Sequence, residues 1–313
     1  MALGMAQKTG RRQPRERFSL KNERQRHELI SAYLFLLPAL FFFFGFVVVP
    51  MVMALTTSFF HSTMGKADVF AGLSNYQRLL HDPIFGKALI NTVIIVVVAV
   101  PSVTAFSLWV ASAIYRRVPP IRSFFRVIFY LPVVTGTVAV TVVWKWMFNN
   151  YYGIINYLLK GLGVIPQNIN WLGDVRFALG CIILILFTTS IGQPIVLYVS
   201  ALGNVDKSLV EAAEVDGATR LQCFWRILVP RIAPTTLYIL VITTINSFQC
   251  FALIQLLTSG GPKHSTDTIM YYIYYQAFKL NDYGYGNAMG IVLALLIAVF
   301  SAVQFRLSRS EED

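Results

Sequence analysis

Ser208 to Glu211 has the S-x-x-E spacing of a capping box, and Thr219 to Gln222 repeats it as T-x-x-Q. In such a box the hydroxyl accepts from the amide three residues on while the longer side chain reaches back, so each box marks a helix start. Asp216-Gly217 lies between them, and glycine supplies the left-handed position that ends a helix. The spacing predicts a short helix from Ser208, a stop at Gly217, and a second helix from Thr219 that Pro230 ends. Val205, Leu209, Ala212 and Ala213 share one face of the first helix, with Glu211, Glu214 and Asp216 close by. Small residues beside acids suit the docking of a partner. They equally suit an amphipathic loop packed under its own helices.

A second group is polar without charge. Thr188, Thr189, Ser190 and Gln193 surround the helix-interrupting Gly192 and Pro194, while Thr243, Thr244, Asn246, Ser247 and Gln249 lie near Phe248 and Phe251. Amides and hydroxyls among aromatic rings can bind an uncharged polar solute. The same groups can instead hold helices together, and a hydroxyl can bond its own helix. Asn246 and Gln249 stand out, because a buried amide needs several partners. Other chemistry lacks a pattern. His27, His61, His81 and His264 have no ligand spacing, Cys181, Cys223 and Cys250 read as small packing residues, and no G-x-x-x-x-G-K-[ST] loop is present. No catalytic or metal-binding residue is assigned.

The elements that position these groups follow from charge. Of 313 residues 56% are hydrophobic and 13% charged, against about 25% charged in a soluble domain. No Asp, Glu, Lys or Arg occurs for 37 residues between Glu28 and Lys66, nor within 89–115, 127–144, 177–205, 232–262 and 283–305. A span needs about 20 apolar residues, so the chain is expected to be an all-α polytopic membrane protein with six transmembrane helices. The first run is too long, and its leader too extended, for a cleaved signal peptide. Gly45 with Pro50, and Pro101, predict kinks in the first two spans.

Domains follow: a basic cytoplasmic tail over 1–29, a six-helix membrane domain over 30–306 containing the loop 201–234, and a cytoplasmic tail over 307–313. With the N-terminus inside, the inner segments hold 18 Lys and Arg against 8 outside, as the positive-inside rule requires. The net charge of +11 is therefore topological, which argues against nucleic acid as a partner. Trp144, Trp146, Tyr151, Tyr152 and Trp171 form an aromatic belt, and Tyr271 to Tyr275 are expected as interfacial anchors. The spans lack the charged relays of ion-coupled carriers, so energy is expected to enter through a separate subunit at the inner loop. An ATPase-independent secondary carrier or channel is the alternative, and a membrane-embedded enzyme is disfavoured by the lack of clustered acids, histidines or a nucleophile.

Glu211-Ala-Ala-Glu-Val-Asp-Gly217, followed by Ile227-Leu-Val-Pro230, resembles the EAA loop of permease subunits in binding-protein-dependent ABC importers. Phe251-Ala-Leu-Ile-Gln-Leu-Leu-Thr-Ser-Gly-Gly-Pro262, Gly72-Leu-Ser-Asn-Tyr76 and Tyr130-Leu-Pro132 are similar to the maltose-type carbohydrate branch, and the likeness covers residues 30–306. The chain differs from the maltose subunit in having neither extra N-terminal spans nor a large folded periplasmic insertion. The resemblance implies a type I importer permease core in a prokaryotic plasma (inner) membrane, with both termini cytoplasmic. It implies a second homologous permease subunit, a cytoplasmic ABC ATPase dimer carrying ATP and Mg, and an extracytoplasmic solute-binding protein, with no cofactor on this chain. Glu211, Ala212, Ala213, Asp216 and Gly217 would form the ATPase-coupling loop, Glu211 pairing with a basic groove. Asn246, Ser247, Phe248, Gln249, Thr188, Thr189, Gly192 and Gln193 would line a carbohydrate pathway. Sugars from mono- to oligosaccharides, and glycerol phosphate, occur among members of that family.

Overall fold

A computed structural model describes residues 23–309. Most of the basic tail and the last four residues, and with them those parts of the domain reading, lie outside the described residues. The chain divides into two compact units, 1–53 and 54–313, which are taken separately.

In the first unit α1 (Glu23–Phe43) passes through a π turn (Phe44–Val48) into α2 (Val49–Thr57). The Val49 amide bonds back to the Phe44 carbonyl, and this wide turn falls just before Pro50, which has no amide to donate. Ile30–Thr57 forms one apolar span of 28 residues whose most apolar window is 0% buried. At 1.5 Å per residue it reaches about 40 Å, enough to cross a bilayer.

The second unit takes in the end of α2 from Ala54 and continues with a short hairpin, β1 (Phe60–His61) and β2 (Val69–Phe70), paired antiparallel with Phe60 opposite Phe70. α3 (Ser74–His81) leads into α4 (Pro83–Ile114), 32 residues long. Asp82 starts α4 because its Oδ1 accepts from the amides of Ile84 at 2.8 Å and Phe85 at 3.3 Å, and Pro83 follows at the first turn. The chain continues through α5 (Pro119–Val134), α6 (Thr137–Met147), α7 (Ile154–Gly161), α8 (Ala178–Ser190) and α9 (Gly192–Gly203). Then come α10 (Lys207–Val215), α11 (Arg220–Cys223), a π turn (Phe224–Leu228), α12 (Val229–Arg231), α13 (Ala233–Phe248), α14 (Ala252–Leu257), α15 (Ile269–Tyr274) and α16 (Tyr283–Arg309).

α4 is the wall shared by three apolar clusters. Ile95 and Ala99 face α8 and α14. Val103, Val110 and Ala111 meet Ile195, Tyr198 and Val199 of α9, while Phe85, Ala88, Val96 and Val100 meet α13, α15 and α16 through Phe248, Tyr272 and Tyr285. These positions recur every three or four residues, so one stripe of a uniformly apolar helix is buried and Ile90, Ile94, Val97 and Val98 remain exposed. A soluble protein would not leave such a face open, and lipid or another subunit must cover it.

Among the described residues three helices are long and apolar enough to cross a membrane, and three bent pairs raise the number of spans to as many as six when each pair counts as one. The α8–α9 pair bends by 41° at Ile191, beside the Gly192 and Pro194 expected to interrupt it. The third span departs from the sequence expectation. α5 starts at Pro119, inside the segment read as a loop, and the expected helix over 127–144 breaks at Thr135-Gly136, where the direction turns by 95°. Thr135 and Gly136 are extended, with ψ of 124° and 143°, so the α-helical hydrogen-bond ladder stops there. A charge-free run says that a segment is apolar and nothing about its direction.

The tyrosine segment also differs. Tyr271 and Tyr272 are buried. Tyr272 and Tyr285 both donate to Asp82 Oδ2 at 2.7 Å, and Tyr271 donates to the Ser259 carbonyl at 2.9 Å. They tie α15 and α16 to the head of α4 instead of anchoring a headgroup layer.

Candidate functional site: an exposed helical hairpin and a charge-free cavity

α10 and α11 form the hairpin expected over 201–234. Its first cap lies earlier than the Ser208 box: Asp206 accepts from the Ser208 amide at 3.0 Å, so the helix begins at Lys207. That amide hydrogen bond holds the exposed Asp206 carboxyl below its ordinary value. Asp is a stronger cap than Ser here because its charge meets the positive end of the helix. Gly217 adopts φ +83°, the left-handed stop. The Ala218 amide then closes the turn onto the Ala213 carbonyl at 2.9 Å. The second box is complete, with Gln222 donating its amide to Thr219 Oγ1 at 3.3 Å and accepting from the Thr219 amide at 2.7 Å. Pro230 sits within the last turn, and the rod breaks after Arg231 with a 67° bend into α13.

Glu211, Ala212, Asp216 and Gly217 are exposed and Ala213 is half-buried. Among the described residues no side-chain hydrogen bond or ion pair reaches Glu211. Glu214 lies 3.6 Å from the Arg116 guanidinium at the end of α4, a weak exposed pair. A cavity of about 570 Å³ lies between them, lined by Arg116, Arg117, Arg122, Lys207, Glu211 and Glu214. The hairpin is therefore a capped, rigid body held at its edges, with its acidic and small-residue face open.

The polar residues of α8, α9 and α13 separate into two sets. A cavity of about 280 Å³ brings Thr189 and Gln249 together with Pro132, Thr135 and Thr137 at the α5–α6 break. No charged side chain lines it. Thr189 Oγ1 donates to the carbonyls of Ile185 and Leu186, both at 3.0 Å, and Thr188 Oγ1 donates to Ile185 at 2.8 Å. The Thr189 hydroxyl keeps a lone pair to accept from a solute in the cavity, whereas Thr188 does not line it. Gln249 and Asn246 are exposed, three residues apart on one face, and Gln193 is exposed on α9. Ser247 and Phe248 instead point into the core, where Phe248 packs edge-on against Phe300 at 5.2 Å. Gly192 is buried where α9 crosses α5, and a Cβ there would collide with the Phe129 carbonyl. Among the described residues, no His, Cys, Asp and Glu cluster suited to a metal is present.

Residues 69–312 match the family described as binding-protein-dependent transport system inner membrane component. The chain belongs to that family. Its relatives include the lactose transport system permease protein LacF of Rhizobium radiobacter, 32% identical over 92% of this chain and 97% of its own length. The arabinooligosaccharides transport system permease protein AraP of Bacillus subtilis is 31% identical over 90% and 89%. Among solved structures, a bacterial ABC transporter that imports the acidic polysaccharide alginate superposes with a TM-score of 0.76, at 24% identity over 92% of this chain and 97% of that one. The fold is thus that of an ABC transporter permease, and this member is a multi-pass inner-membrane transport subunit.

Within that fold, sequence reading missed Pro132, Thr135 and Thr137 as walls of the polar cavity. Their signal was the Thr135-Gly136-Thr137 triplet, small and β-favouring residues where a straight span would carry bulky apolar ones.

Proposed function

We propose that the chain is the permease subunit of a carbohydrate ABC importer. With a second homologous permease it would form the pathway, with both termini cytoplasmic. A separate cytoplasmic ATPase dimer, carrying ATP and Mg, would drive it, and an extracytoplasmic solute-binding protein would deliver the cargo. The observation that carries the reading is the α10–Gly217–α11 hairpin. Glu211 and Ala212 are exposed beside the half-buried Ala213, Glu211 is an acid with no partner among the described residues, and both helices of the hairpin start at a side-chain cap. Such a body can be gripped and moved as a unit; it follows α9 through residues 204–206 and leads into α13 through the bend at Ile232. Motion of the hairpin would then tilt α9, which continues from the α8 that carries Thr189, and α13, which Gln249 follows, the logic of alternating access around a midplane site.

The cargo class is supported by the charge-free cavity and by relatives whose names specify lactose and arabinooligosaccharides. Reversing the charge with Glu211→Arg should release the ATPase during purification and abolish ATP-driven uptake. An intact complex with normal uptake would refute the docking role. A panel of labelled carbohydrates presented to the reconstituted transporter with its binding protein would identify the cargo, and uptake of none of them would overturn the carbohydrate reading.

A further inference from the structure

A third cavity of about 790 Å³ opens between the end of α4 and the π turn that follows α11. Its walls include Trp109, Ser112, Arg116 and Arg117 on one side and Arg220 and Trp225 on the other, and no carboxylate lines it. Arg116 is partly occupied. Its Nε donates to Tyr115 Oη at 2.6 Å and its Nη1 lies 3.6 Å from Glu214. Arg117 and Arg220 have no side-chain hydrogen bond or ion pair among the described residues. Trp109 and Trp225 expose 66% and 58% of their surface. The apolar span of α4 ends at Ile114, so the arginines sit where hydrocarbon gives way to headgroups.

We propose that this cavity binds the headgroup of an anionic phospholipid, its phosphate between Arg117 and Arg220 and its acyl chains against the two indoles. Arg117 and Arg220, neither paired with a carboxylate among the described residues, leave positive charge for an anion to neutralise. Arginine forks match phosphate oxygens two at a time. Exposed tryptophans are at home at the depth where a headgroup meets its chains, and basic pockets between spans are where anionic headgroups bind. A soluble anion would account for the arginines but leave the apolar walls uncovered. The inference rests on α4 being a span, which the family supports, and is independent of ATPase docking at Glu211. A lipid in this position would join α4 to the second helix of the hairpin.

The test uses the assembled transporter, with its ATPase, in nanodiscs of phosphatidylcholine doped with phosphatidylglycerol or cardiolipin, and reads retained lipid by native mass spectrometry. Wild type should retain the anionic lipid in preference to phosphatidylcholine. Removing both charges with Arg117→Gln and Arg220→Gln should weaken retention by about 30-fold, about five-fold for each arginine. Arg117→Lys with Arg220→Lys should recover most of it, which separates lost charge from misfolding. Arg176→Gln, an exposed arginine paired with Asp174, should leave retention unchanged. Equal retention of both lipid classes would overturn the proposal, as would displacement by inorganic phosphate at equal concentration. Loss of the ATPase from the Arg→Gln variant with lipid unchanged would assign the cavity to the protein partner instead.

Discussion

Asp82 shows how one side chain can organise a membrane protein outside its spans. One oxygen caps α4 and the other accepts from Tyr272 and Tyr285. Burial pushes the carboxyl up, but the hydrogen bonds from Tyr285, Tyr272 and the Phe85 and Ile84 amides outweigh it and hold the group below its ordinary 3.8. The folded carboxylate is therefore favoured over the unfolded one, so its stabilisation is complete above about pH 4 and lost as pH falls through the folded value. Asp82→Asn should lower stability at pH 7 by about 1–2 kcal/mol, the worth of charge-assisted bonds made neutral. It should also flatten the acid side of the thermal-stability profile of the purified complex. An unchanged acid limb would show that the cap contributes nothing there. Gly192 is a second single-residue constraint. Gly192→Ala forces a methyl against the Phe129 carbonyl and Val133 and should cost about 1–3 kcal/mol. Gly180→Ala, where nothing lies within 4 Å of the new methyl, should be neutral or stabilising. Differential scanning fluorimetry of the two variants decides. Little of this was legible locally: Asp82 and its tyrosines lie about 200 residues apart, and the interruption at Gly192 was visible in sequence but its close crossing with α5 was not.

At the scale of elements, the hairpin was almost wholly legible because caps, a left-handed glycine and a proline act within a few residues of themselves. The one shift, from Ser208 to Asp206, reflects competition between two good caps that local pattern does not rank. The α5–α6 corner was hidden because apolarity has no direction. The hairpin yields a graded prediction. Gly217 sits at φ +83° with nothing within 4 Å of a new Cβ, so the penalty of Gly217→Ala is conformational alone, about 1 kcal/mol. That is too little to unfold the protein but enough to let the α10–α11 angle vary. ATP hydrolysis in the assembled transporter should persist while solute moved per ATP falls. Gly217→Asn, which tolerates the left-handed region better, should fall less. Equal coupling in all three would show that the turn has no role in transmission.

The whole molecule is incomplete by itself. Only 17% of the apolar window of α16 is buried, so lipid and neighbouring subunits must cover its outer face. The polar cavity follows the same rule: Gln249 and Asn246 are exposed beside it, and amides facing hydrocarbon without partners would each cost several kcal/mol. They must therefore face water, solute or a second permease. Ser247 and Phe248, their immediate neighbours, are buried. This alternation gives a sharp test of the pathway in the assembled transporter. With Cys181, Cys223 and Cys250, all buried and free, replaced by alanine, Gln249→Cys and Asn246→Cys should react with a small water-soluble thiol reagent, while Ser247→Cys should stay unreactive. Transported solute, presented with its binding protein, should slow labelling at position 249 more than at 246, because Gln249 lines the cavity with Thr189 and Asn246 does not. Equal labelling at 247 and 249 would mean that the face assignment is wrong. Labelling at 249 that ignores the solute would move the pathway elsewhere and leave Gln249 facing water outside it.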